Sequence, residues 1–62
     1  MGYFVAHLKD GTVVDFNKEC HTIEFFGEHD NAFIFKKRSH NETLGIIPVE
    51  NVNYIVRVEE YK

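Results

Sequence analysis

The close spacing of turn signals constrains this chain more than any other feature. Short runs of strand-forming residues, such as residues 3–8 and 32–37, are each followed by a polar or glycine-containing segment. Only residues 48–60 could hold a helix of ordinary length. Short apolar runs separated by frequent turns are typical of all-β domains. We therefore predict an all-β fold, a small antiparallel meander of five to six short strands.

The first hairpin has the clearest local signal. Asp10-Gly11 lies between two apolar runs, and Asp-Gly favours a type I′ turn, in which both central residues have positive φ. Residues 12–16 then form the returning strand, and residues 17–20 form a polar connection. The other strands are predicted over residues 21–27, 32–37, 43–49 and 53–58.

The window from residue 48 to residue 60 admits two interpretations. Pro48 is suited to the first position of a helix. The residues that follow are rich in valine and isoleucine, however, and β-branched side chains lower helix propensity. We therefore predict one short helical turn near residues 48–52 and a final strand after it. Whether Tyr54 or Ile55 of that strand points inward stays open.

Several strands carry apolar groups on both faces, for example Phe25 beside Phe26 and Phe33 beside Ile34. Such strands either close into a barrel or cover their second face with another copy. The succession of hairpins, a short turn at residues 48–52 and a last strand resembles the SH3-like and Sm-like small barrels. The resemblance is one of architecture. The chain carries no Sm signature and no other family motif, so the resemblance implies no site residues.

The length bounds the architecture and the stability. The chain has 62 residues, which is one domain spanning residues 1–62. A core of this size supplies no more than roughly 3–5 kcal/mol. Cys20 is the only cysteine, so no disulfide can form within one chain. Because the core is small, we expect self-association into a homo-oligomer. A single unpaired cysteine favours a reducing, cytoplasmic location. We expect no membrane partner, because no apolar run approaches the ~20 residues that span a bilayer.

Reactive chemistry has weak support in the sequence. The chain has four histidines and one cysteine, but they lack the paired spacing of zinc ligands. Cys20 and His21 are adjacent, and adjacent strand residues point to opposite faces. We therefore predict that the protein is not an enzyme, with no catalytic residues, no metal and no cofactor.

The predicted function is a small intracellular protein-interaction module, an accessory or regulatory factor of a bacterium or phage. Aromatic residues dominate binding surfaces, which makes four of them the predicted contacts with an unidentified protein partner: Tyr3, Phe26, Tyr54 and Tyr61.

The alternative is a small barrel that binds nucleic acid. The basic run Lys36, Lys37 and Arg38 lies at the end of the predicted strand over residues 32–37, which carries Phe33 and Phe35. Cations beside exposed rings are what single-strand binders use. The net charge of −3 weighs against this alternative, because nucleic-acid-binding domains are usually basic.

Overall fold

The structure is a computed structural model that describes residues 2–27, 31–37 and 42–60. Its strands are β1 (Gly2–Leu8), β2 (Val13–Val14), β3 (Cys20–Phe26), β4 (Ala32–Lys37), β5 (Thr43–Pro48) and β6 (Val52–Glu59). They form two antiparallel sheets, a first sheet of order β2-β1-β6 and a second sheet of order β3-β4-β5. The predicted all-β class is confirmed. Across the described ranges the strands form these two sheets and not one closed barrel.

The first hairpin forms as predicted, but its turn type is different. The N–H of Leu8 donates to the carbonyl of Thr12 at 2.8 Å, and the N–H of Gly11 donates to the carbonyl of Leu8 at 3.1 Å. Gly11 has φ of 93°, whereas Asp10 is absent from the positive-φ residues. The prediction of a type I′ turn is therefore wrong. The loop has three residues, with glycine in the left-handed region at its third position.

The returning strand is shorter than predicted because the chain enters a left-handed turn. A 3₁₀ turn occupies Phe16–Lys18. Phe16, Asn17 and Lys18 have φ of 53°, 55° and 62°. The carboxylate of Asp15 accepts a hydrogen bond from the N–H of Asn17 at 3.1 Å. Left-handed conformations are unfavourable for residues with a Cβ, so packing must hold this turn in place.

The packing that holds the turn is the ring of Phe16. It stacks on Phe35 with 4.6 Å between ring centroids and 25° between planes. It also lies against Gly45, where an added Cβ would come within 3.0 Å of the ring. A glycine on β5 therefore leaves room for the ring.

The core lies where β1 passes β3. Its fully buried members are Ala6, Cys20 and Phe35. Partly buried side chains surround this cluster: Phe4, Leu8, Phe16, Ile23, Phe33, Leu44, Ile47 and Ile55. Because β3 begins at Cys20, the predicted connection over residues 17–20 is one residue too long, and the thiol belongs to the core.

Within residues 48–60 the chain forms a short turn and a strand, and not a helix of ordinary length. A 3₁₀ turn covers Val49–Asn51, and β6 follows directly, so the predicted short turn and strand are both confirmed. Ile55 packs against the core cluster. Tyr54 is 52% exposed on the opposite side of the strand.

The molecule is flat, with principal extents of 40 × 27 × 13 Å. Its accessible surface is 4571 Å², whereas a compact monomer of this mass exposes about 4,200 Å². Among the described residues Phe35 is the only large side chain that is fully buried. Because the molecule is flat and its core is small, many apolar side chains remain on the surface.

Candidate interaction surfaces

The outer face of the first sheet is lined by apolar and aromatic side chains. Residues that oppose each other in an antiparallel pair lie on the same side of the sheet. The register pairs Tyr3 with Val58, Val5 with Val56, and His7 with both Tyr54 and Val13. We call this set the β1–β6 face, and its members are Tyr3, Val5, His7, Val13, Tyr54, Val56 and Val58.

Packing within the β1–β6 face is already ordered in a single copy. The rings of His7 and Tyr54 stack with 4.5 Å between centroids and 14° between planes. Val5, at the centre, is only 7% exposed, whereas Val13 at the margin is 56% exposed. None of the seven positions carries Asp, Glu, Lys or Arg, although these make up 27% of the chain. An apolar patch with this shape is a candidate contact surface.

A second apolar surface lies on the outer side of the second sheet. The register brings Phe26 opposite Ala32 and Ile34 opposite Ile46. Phe26 is 57% exposed and Ile46 is 62% exposed. We call this set the β3–β5 face, and its apolar members are Phe26, Ala32, Ile34, Ile46 and Pro48. Its other end is charged, because Lys36 and Glu24 form an ion pair there at 3.1 Å.

The two faces divide the predicted contact residues. Tyr3 and Tyr54 lie together on the β1–β6 face, whereas Phe26 lies on the β3–β5 face. Tyr61 lies outside the described residues. Reasoning from aromatic content missed Val13 and Ile46, which are among the most exposed large apolar side chains. Strand alternation could have indicated them once the pairing of the strands was known.

The basic run does not present free cations in the described part of the chain. Lys36 lies on the outer face of the second sheet, where Glu24 pairs with it. Lys37 points to the other side of β4. There its ammonium group lies 3.0 Å from Glu19 and 3.9 Å from Glu42.

Both carboxylates raise the pKa of Lys37 above its ordinary value, and Glu19 has the larger effect. A phosphate would have to compete with them for the ammonium group. Arg38, the third predicted nucleic-acid contact, lies outside the described residues. The predicted basic patch is thus split between two faces, and its lysines are already paired.

The thiol of Cys20 is enclosed by the core. Its Sγ donates to the carbonyl of Thr22 at 3.5 Å. Burial raises its pKa, and the backbone hydrogen bonds offset only part of that rise. A raised pKa keeps the thiol protonated, whereas a nucleophilic cysteine needs a thiolate. Within residues 2–27, 31–37 and 42–60, no three His, Cys, Asp or Glu side chains are grouped as metal ligands. His29 and His40 lie outside those ranges.

The buried thiol should resist modification in the folded protein. We expect Cys20 to react with a thiol reagent at least about 100-fold more slowly than an exposed thiol, because reaction requires local or global opening. A matched control places the only thiol on the surface, as Thr22→Cys in a Cys20→Ala background. Labelling rates followed by mass spectrometry, in buffer and in denaturant, make the comparison. Equal rates for the two thiols in buffer would show that Cys20 is accessible.

The raised pKa of Cys20 also makes the free energy of unfolding depend on pH. The folded chain holds the thiol proton at pH values where the unfolded chain has begun to release it. This contribution to the free energy of unfolding is therefore complete below the ordinary pKa of the thiol. It is lost as the pH rises through that value toward the folded pKa.

Comparisons with protein-family models, curated proteins and solved structures gave no match. In the part of the chain that the structure describes, no helix has the length and apolar character needed to cross a bilayer.

Proposed function

We propose that this chain is a small non-enzymatic protein-interaction module that associates with itself and with a protein partner through its apolar sheet faces. One observation carries the proposal. Five large apolar side chains of the described residues are each more than half exposed, and four of them lie on the two faces: Val13 and Tyr54 on the β1–β6 face, Phe26 and Ile46 on the β3–β5 face. The fifth is Phe25. Large exposed apolar surfaces on small domains mark interfaces.

The small core supports the same proposal. The described chain buries only six apolar residues: Val5, Ala6, Cys20, Ala32, Phe35 and Val52. Domains with so little core commonly depend on additional contacts for stability. The small-barrel likeness and the role of a cytoplasmic accessory factor stay part of the proposal, and the single free buried thiol suits a reducing compartment.

Nucleic-acid binding is the competing function, and the pairing of Lys36 and Lys37 with carboxylates gives it less support. The two functions make opposite predictions for two sets of variants. The first set places charge on the apolar β1–β6 face, as the double variant Tyr3→Lys with Tyr54→Lys. The second set removes charge from the basic run, as the double variant Lys36→Ala with Lys37→Ala.

Immobilised protein should capture a protein partner from cells that express it. We expect the Tyr3→Lys, Tyr54→Lys variant to lose at least about tenfold of the captured protein, since a charge placed in an apolar contact is left unpaired. The Lys36→Ala, Lys37→Ala variant should retain capture, and nuclease treatment should not release the bound material. Circular dichroism confirms that each variant is folded.

The opposite pattern would overturn the proposal. If the basic-run variant loses capture, and if nuclease or moderate salt releases what the wild type holds, the chain binds nucleic acid. The absorbance of the eluted material at two ultraviolet wavelengths reports this directly, because the chain has three tyrosines and no tryptophan.

A further inference from the structure

We infer that the β1–β6 face is the contact surface of a two-fold homodimer, in which the face of one copy stacks on the same face of a second copy. This inference rests on the proposed function and names one partner and one surface.

Charge favours a second copy on this face. In a two-fold contact the same surface of both copies meets. Any net charge on that surface therefore faces a like charge on the other copy and is repelled. The chain carries a net charge of −3, yet the seven positions of the β1–β6 face carry no Asp, Glu, Lys or Arg. The β3–β5 face contains the Lys36–Glu24 ion pair. Stacking two copies on that face would take the pair out of water at a desolvation cost.

Shape favours the same contact. Along β1 the rings of Tyr3 and His7 flank Val5, and Val56 lies opposite Val5 on β6. Stacked sheets lie about 10 Å apart. An in-plane two-fold axis that crosses the strands near Val5 and Val56 sets Tyr3 of one copy opposite the His7–Tyr54 stack of the other. The rings of each copy then lie at the ends of the contact and the valines at its centre.

Area sets the expected strength of the dimer. The seven registered positions of β1 and β6, with the short β2 beside them, cover a patch of about 300 Å² at ordinary strand spacing. A standard stable interface buries about 800 Å² on each partner. Two copies would bury about 600 Å² in total, which is below the range of standard stable interfaces, so we expect a weak, reversible dimer that is populated only near about 0.1 mM and above.

The test is a concentration series of the purified chain by sedimentation velocity, from about 10 µM to about 1 mM. Wild type should pass from monomer to dimer within this range. Tyr54→Lys should weaken dimerisation by at least about tenfold, because it buries an unpaired ammonium group. Val13→Lys is a second variant on the same face, opposite His7 in the register, and it leaves both rings of the His7–Tyr54 stack in the chain. Ile46→Lys is the matched control, since Ile46 is 62% exposed and Tyr54 52% exposed, and it should dimerise like wild type.

Two results would overturn the inference. One is a wild type that stays monomeric throughout the series. The other is a dimer that Ile46→Lys weakens while Tyr54→Lys and Val13→Lys do not, which would assign the contact to the β3–β5 face. A monomeric chain that still captures a protein partner leaves the proposed function standing without this inference. A Tyr54-dependent dimer that captures nothing supports the inference and removes partner binding.

Discussion

Phe35→Ala is expected to unfold the protein at room temperature. Phe35 is fully buried, and its ring contacts Phe16 and Phe33 at centroid distances of 4.6 and 6.4 Å. Removing a buried phenylalanine ring costs about 3–5 kcal/mol. A core of this size supplies roughly the same amount. One substitution thus removes most of the free energy of unfolding. Circular dichroism and urea titration provide the measurement.

Phe25→Ala is the matched control for that prediction. Phe25 is the same residue type in the second sheet and lies 5.6 Å from Phe33, but it is 61% exposed. Its loss should lower the free energy of unfolding by no more than about 1 kcal/mol, as for most surface changes. Equal destabilisation by Phe35→Ala and Phe25→Ala would mean that the core does not centre on Phe35.

At position 16 glycine should be tolerated better than alanine. Phe16→Ala removes the ring that stacks on Phe35, and we expect a loss of about 2 kcal/mol, since the ring is only partly buried. Alanine keeps the left-handed backbone at φ of 53°, which costs about 1–2 kcal/mol for a residue with a Cβ. Phe16→Gly removes the ring but relieves that cost. The glycine variant should therefore be more stable than the alanine variant by about 1 kcal/mol.

Val13 provides the control for this ordering. It lies in β2 with extended backbone and is largely exposed. At ordinary positions glycine is less stable than alanine by about 0.5–1 kcal/mol, so Val13→Gly should be less stable than Val13→Ala. If both positions favour alanine by the same amount, the turn at Phe16–Lys18 is not left-handed in solution. Thermal and urea unfolding of the four variants at low protein concentration make the comparison.

The exposed faces and the small core have one physical origin. Strands in a three-stranded sheet have two sides, and a chain of 62 residues provides only one layer against each sheet. Apolar residues at alternate positions fill the space between the sheets. Apolar residues at the remaining positions, such as Tyr54 and Ile46, are then left on the outside. A second copy or a protein partner can cover them.

Local patterns in the sequence were enough to predict most elements. The strand over residues 32–37 and the short turn before β6 agree with the structure. The first hairpin was predicted from Asp10-Gly11 because glycine supplies a positive φ at low cost. These features depend on neighbouring residues, whose propensities and alternation can be read directly along the chain.

The candidate surfaces depended on contacts between distant parts of the chain. Tyr3 and Tyr54 lie on one face only because β1 pairs with β6 in the observed register. The closer partner of Lys37, Glu19, reaches it only because β4 lies beside β3, and Glu19 directly precedes that strand. No local pattern contains these pairings.

The sequence by itself determined the fold class and the main strands. It also determined that the chain has more apolar residues than one small core can bury. Only the tertiary structure decided which apolar side chains are inside, that Ile55 rather than Tyr54 faces the core, and that Phe16 is held in a left-handed turn. The physical reason is that strand alternation has a period of two and defines two faces without saying which is buried. That choice follows from the free energy of packing one sheet against the other.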